Sequence, residues 1–247
     1  MKNGILFLWG VLSAATAFAG EIEPGFVSIF NEKDLSGWDG DPKFWSVKDG
    51  AICGQTTPEN PTSANTFLIW KGGEVKDFVV RLDYKITGNN PEKWGNSGVQ
   101  YRSQRVSQEG WAMKGYQADI DTSRFYTGIL YEENGRGILS LRGESTVIKK
   151  DSSEKTVLPN EEASLEGVSD RLKESIHEAD WNSYSIRVET LADSSTRITH
   201  TINGQLLTYV VDASGAGARS GLLGLQLHAG QSMKVEFKNI RVKKLKD

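Results

Sequence analysis

The chain has 247 residues, a formal net charge of −3, seven Trp, seven Tyr and one cysteine, Cys53. Lys and Arg are scattered apart from the end Arg241-Val242-Lys243-Lys244-Leu245-Lys246, which solvates a terminal strand and leaves no electrostatic footprint for nucleic acid. A lone cysteine excludes an intramolecular disulfide, so the chain must be held by its own core, and Cys53 between Ile52 and Gly54 reads as a small buried hydrophobe.

The N-terminus reads as an export signal over residues 1–19. Lys2 precedes an apolar run from Ile5 to Leu12, and Ala17-Phe18-Ala19 forms the small-x-small cleavage pattern before Gly20. The run is shorter than the about 20 apolar residues that span a bilayer. Cleavage leaves residues 20–247, read as a single β-sandwich domain that is periplasmic or secreted and has no membrane partner.

Phe26 to Phe30 predicts a first strand, followed by a turn-rich stretch to Trp38. Phe44 to Val47 and Ala51 to Cys53 predict a hairpin turning at Asp49-Gly50. Thr66 to Trp70 is the next strand, and Asp77 to Thr87 alternates as a half-buried one. A loop carrying Trp94 leads to Asn96–Arg102, and a loop carrying Trp111 leads to Gly115–Asp121. Tyr126–Tyr131 and Gly137–Leu141 follow, joined through Asn134-Gly135.

From Pro159 to Ala179 the period changes. Leu165, Val168, Leu172 and Ile176 fall three and four apart, predicting a short amphipathic helix, or two turns broken near Gly167, with His177 as a C-terminal cation. Sheet patterning resumes at Trp181–Thr190 and Arg197–Ile202, turns at Asn203-Gly204 into Gln205–Val211, and ends with Gly221–His228 and Met233–Leu245; His200 reads as a surface sheet residue. Roughly a dozen strands without a βαβ rhythm predict an all-β antiparallel sandwich with a short helical insertion. Periodicity alone leaves the topology open.

Three strands carry polar groups at alternate positions, which puts those groups on one face. Gln117, Asp119 and Asp121 alternate with Tyr116, Ala118 and Ile120; Gln100 and Arg102 alternate with Val99 and Tyr101; Gln226 and His228 alternate with leucines. Buried acids are too costly without partners, so such a face looks toward solvent, a cation, donors or a ligand. The three faces are read as one groove. Asp119 and Asp121 offer the oxygen ligands of a divalent cation such as Ca²⁺. Trp94, Trp111 and Tyr131 suit stacking on a sugar ring as well as covering the sandwich edge. Arg102 reads equally as a structural partner of the two acids, and His228 equally as a hydrogen-bonded sheet residue.

Val27-Ser28-Ile29-Phe30-Asn31 with Asp34-Leu35-Ser36-Gly37-Trp38, Gly95 to Arg102, Gly115 to Asp119, Asp180 to Tyr184, Leu225 to Gly230 and Lys234 to Ile240 resemble, in order, the 3-keto-disaccharide hydrolase domain family. The resemblance spans about residues 26 to 245. It implies a concanavalin A-like sandwich of jelly-roll type, related in shape to lectins and glucanases, that acts on oxidised oligosaccharides or keto-sugars after export. Loss of an acidified C2 proton beside a 3-keto group allows elimination, with water addition completing net hydrolysis. Such a route needs a base, a stabiliser for the enolate oxygen and an acid. His228 or Asp119 is expected as base, Arg102 or a metal ion as stabiliser, Asp121 as acid or metal ligand, and Gln100, Gln117 and Gln226 as hydroxyl partners.

Two alternatives stay open. In a conventional glycoside hydrolase two carboxylates work together, and same-face neighbours on one strand lie roughly 6 to 7 Å apart, between the separations of retaining and inverting enzymes. In a lectin-like module the same groove binds sugar and does no chemistry.

Overall fold

Burial follows the alternation of the sequence: in Phe78–Gly88, Val80, Leu82, Tyr84 and Ile86 are buried while Arg81, Asp83 and Lys85 between them are half-exposed. Repeated strand after strand, this gives two sheets that bury one face each against the other. The computed structural model describes residues 23–159 and 164–245. The export signal expected over residues 1–19 lies outside them.

The seven-stranded sheet runs in spatial order β10 (Gly137–Ser140), β9 (Leu130–Glu133), β8 (Met113–Asp121), β7 (Asn96–Arg105), β16 (Leu222–Leu227), β5 (Thr66–Trp70) and β2 (Trp38–Asp39). The ten-stranded sheet runs β12 (Ser153–Val157), β11 (Glu144–Ile148), β15 (Gln205–Asp212), β14 (Thr196–Ile202), β13 (Asn182–Thr190), β6 (Phe78–Gly88), β17 (Met233–Lys244), β4 (Ala51–Gln55) and β3 (Trp45–Lys48), with β1 (Val27–Ser28) beside β17. Tyr84, Tyr184 and Phe237 from the larger sheet meet Tyr101, Tyr116 and Leu225 from the smaller in one core. The result is the antiparallel lectin-like sandwich that the strand pattern and the resemblance imply. No helix among the described residues is long and apolar enough to cross a membrane.

Asp49-Gly50 and Asn203-Gly204 form the two tight hairpin turns, with φ of 51° and 74° and of 49° and 80°. Both central residues of such a turn need the left-handed region, which Asn, Asp and Gly tolerate best. Cys53 is buried and free.

Several local expectations change. The first strand shrinks to Val27–Ser28, and Trp38–Asp39 pairs with β5 where a turn was expected. Between β10 and the helix the chain adds β11 and β12, and β11 pairs with β15 in parallel. The helix α1 (Leu165–Glu174) runs unbroken through Gly167, whose amide Ser164 caps. His177 donates through Nδ1 to the Trp181 carbonyl at 3.0 Å. His200 is not a surface residue: it shares parity with Ile198 and Ile202, is fully buried, and accepts from the Tyr101 hydroxyl at 2.9 Å while donating to the Gly128 carbonyl at 3.2 Å.

Candidate functional site

Gln100 on β7, Gln117 and Asp119 on β8 and Gln226 on β16 occupy the outer face of the seven-stranded sheet, since their strand neighbours Val99, Tyr101, Ala118 and Leu225 all point into the core. One end of this face is closed by Phe67, Ile69 and Met113, with Trp111 and Leu222 packed on them. The other end opens into a cavity of about 290 Å³, lined by Asn65, Trp94, Asn96, Gln117, Asp119, Tyr126, Ile129, Tyr131, Glu133, Ile138, Gln226 and His228. That volume is at the lower end for small-molecule sites and holds a sugar ring.

Asp119 is one of two buried acids of this cavity, with Glu133. A chain of donors ends on it: the Ser103 hydroxyl donates to Gln100 Oε1 at 2.6 Å, Gln100 Nε2 to Gln117 Oε1 at 3.0 Å, and Gln117 Nε2 to Asp119 Oδ1. Burial pushes the Asp119 carboxyl up to about 8. The Gln117 bond opposes this, while the charges of Asp121 and Glu133 add to it. Near neutral pH this acid therefore holds its proton.

Glu133 was not singled out in the sequence, although it lies two residues beyond Tyr131 on the same strand face. Its carboxylate accepts from Asn65 Nδ2 at 3.0 Å and from Gln226 Nε2 at 3.2 Å. Committing its amide nitrogen to Glu133 leaves Gln226 Oε1 buried without a donor. A ligand hydroxyl would satisfy it.

His228 follows the end of β16. Its Nδ1 lies 2.6 Å from the Ala229 carbonyl, which can only accept, so Nδ1 carries a proton and Nε2 is the nitrogen left for a ligand. Trp94 packs edge-on against the imidazole with ring centroids 5.2 Å apart. Asn90 fixes that tryptophan by accepting from its amide at 3.0 Å and donating to its carbonyl at 2.6 Å. The Tyr131 phenol also lines the cavity; burial and the Glu133 and Asp119 charges raise it, so it remains a donor.

Four expected site residues are placed elsewhere. Arg102 is drawn out of the groove by a β-bulge after Tyr101, where its own φ is 44°. Fully buried, it bridges to the other sheet: it donates to the Lys76 carbonyl at 2.7 Å, to Thr196 and Thr190 at 2.9 Å each, and pairs with Asp77 at 2.9 Å. It pairs with neither groove acid. Asp121 caps the turn that follows β8, taking hydrogen bonds from the amides of Phe125, Tyr126 and Thr127 and from the hydroxyls of Ser123 and Thr127. Five donors leave it no oxygen for a cation or a substrate, which removes both the metal pair and the two-carboxylate pair expected on β8. Among the described residues no group of three or more His, Cys, Asp or Glu is arranged to hold a metal ion. Trp111 donates to Asp39 at 3.0 Å and closes the far end of the face. Gln100 is fully buried behind Gln117 and reaches the cavity only through it.

A family model described as a 3-keto-alpha-glucoside-1,2-lyase-like domain matches residues 25–243. A comparison with curated proteins gave no match. Among solved structures, a candidate glycosyl hydrolase from Parabacteroides distasonis is 15% identical over 89% of this chain and 99% of its own, with a TM-score of 0.54. A galectin-like protein from Bacillus subtilis is 8% identical over 89% and 94%, with a TM-score of 0.55. The alginate lyase Aly36B is 9% identical over 90% and 98%, with a TM-score of 0.51. At such identities these likenesses concern the fold.

Proposed function

The chain belongs to the 3-keto-alpha-glucoside-1,2-lyase-like domain family, and from that membership together with the chemistry of its cavity we propose that it cleaves 3-keto-glycosides by elimination followed by hydration. The observation that carries this reading is the meeting, in one ring-sized cavity, of a buried carboxylic acid at Asp119 and an imidazole with a free Nε2 at His228.

His228 Nε2 takes the C2 proton, and the electron pair left on C2 is delocalised onto the 3-carbonyl oxygen. The Tyr131 phenol donates to that developing enolate. The C1–O bond then breaks as C1=C2 forms, and Asp119 gives its proton to the departing oxygen. An acid raised to about 8 suits this step, because it is protonated near neutral pH yet releases its proton readily. Hydration reverses the roles: Asp119, now a carboxylate, takes a proton from water attacking C1, and the His228 imidazolium returns one to C2. Gln117, Asn96 and the unsatisfied Gln226 oxygen hold hydroxyls. The leader-like residues 1–19 support action outside the cytoplasm.

The test compares a 3-keto-glucoside with its unoxidised parent for wild type, His228→Ala and Asp119→Asn. The expected result is sugar release from the keto substrate alone, lost in both variants while sugar binding persists. Cleavage of the unoxidised parent would transfer the chemistry to a conventional hydrolase mechanism, and binding without any cleavage would make the domain a lectin.

A further inference from the structure

Six large apolar side chains are exposed among the described residues: Val27, Val106, Phe125, Tyr126, Ile138 and Leu141. Three of them meet at one place. Tyr126 and Ile138 line the mouth of the cavity, and the Phe125 ring stands edge-on to Tyr126 with centroids 4.8 Å apart and planes at 85°. Phe125 is 60% and Ile138 47% exposed, a patch that no group among the described residues covers.

The turn presenting these rings is built with unusual support. Asp121 accepts the three successive amides of Phe125, Tyr126 and Thr127 from one side. From beneath, the buried Arg142 guanidinium donates to the carbonyls of Arg124, Phe125 and Thr127 at 2.5, 3.4 and 3.0 Å. A buried arginine and a buried aspartate spent on one surface turn hold its aromatic pair in place before anything binds. Preorganisation of this kind lowers the entropy that a ligand must overcome.

We propose that this rim is the leaving-group subsite, and that it takes an aromatic aglycone. The inference rests on the cavity holding the keto-sugar. Its about 290 Å³ hold a sugar ring, and a group attached at C1 extends toward the mouth. There Phe125 and Ile138 offer apolar surface, and of the three rim side chains only Tyr126 carries a hydrogen-bonding group, a poor match for a second sugar whose several hydroxyls need partners. An aromatic ring gains both burial and edge-to-face contact with the Phe125–Tyr126 pair.

The experiment measures binding and kcat/KM for phenyl and methyl 3-keto-glucosides, with both anomers of each, on the wild type, Phe125→Ala and Ile138→Ser. Phe125 is exposed, so its truncation leaves no cavity in the core. The expected wild-type binding preference for phenyl over methyl is roughly tenfold, as one aromatic contact supplies, and it falls toward unity in either variant, while the kcat/KM ratio, which also carries the better phenoxide leaving group, falls by the same factor. Turnover of both substrates with no phenyl preference in binding, or a binding preference that survives both variants, overturns the subsite while leaving the elimination reading intact. A phenyl preference in binding without turnover upholds the subsite and removes the reaction. Absence of binding by either compound overturns both.

Discussion

Asp119 receives its hydrogen bond from Gln117, two residues earlier on the same face of the same strand, and Gln117 is itself held by Gln100 across the strand pair. The acid's position is therefore set by side chains that never meet the ligand directly as well as by one that lines the cavity. Gly98 makes room for this arrangement: a Cβ there would stand 2.7 Å from Gln117 Cγ and Cδ. Gly98→Ala should displace Gln117 and lower kcat on the keto substrate by about tenfold, as expected when a catalytic group loses its alignment. Steady-state kinetics beside a thermal melt separates this from general unfolding, which would reduce both together.

Raising the Asp119 carboxyl to about 8 has consequences for rate and stability. Used as an acid, it must be protonated, so kcat/KM should decline above about pH 8, and Asp119→Asn should lose on the order of 10²- to 10⁴-fold in rate. Because the folded state binds this proton more tightly than the unfolded one, the contribution to stability is full below pH 3.8 and lost as pH rises to about 8. Denaturant titrations across that interval should show a shallower pH dependence for Asp119→Asn. Equal slopes in the two proteins would place the ionisation elsewhere.

His200 behaves in the opposite sense. Burial lowers it from 6.5 to about 4, so its contribution is present above pH 6.5 and disappears as acid charges the unfolded chain first. His200→Gln should flatten the loss of stability between pH 6.5 and 4 without altering the alkaline limb of activity. A variant retaining the full acid sensitivity would contradict this assignment.

Arg102 spans the two sheets at the buried end of β7. Arg102→Met leaves the partly buried Asp77 without its ion partner and removes the bonds to the Lys76 carbonyl, Thr190 and Thr196, and should destabilise by about 3–5 kcal/mol. The folded fraction should retain its kcat/KM, since the guanidinium does not line the cavity that holds Asp119. Loss of turnover with unchanged stability would restore Arg102 to the chemistry.

The residues that were legible in the sequence are those whose strands stay regular. Gln117, Asp119, Gln226 and His228 alternate with core residues and do converge on one face, and Trp94 and Tyr131 join them at the cavity. Arg102 was misplaced because a bulge breaks parity after Tyr101, and no residue type at that point announces one. Asp121 lies at a strand end, where turning chain competes for its oxygens. Parity with Ile198 and Ile202 already implied that His200 points inward, and parity with Tyr131 would have found Glu133. β11 depends on a long-range parallel pairing with β15, which local pattern does not encode, and β12 joins the sheet only through β11.

On the elimination route the C2 proton leaves before or with the glycosidic oxygen. Rapid mixing of the protein with a 3-keto-glucoside deuterated at C2, followed in the ultraviolet and by mass spectrometry in ordinary water, tests it directly. Elimination predicts slower cleavage of the deuterated substrate, a transient conjugated enone, and a 3-keto-sugar product that has lost its C2 deuterium to solvent. Product that keeps the C2 deuterium in full, released at the same rate as from the protiated substrate and with no enone, would contradict it.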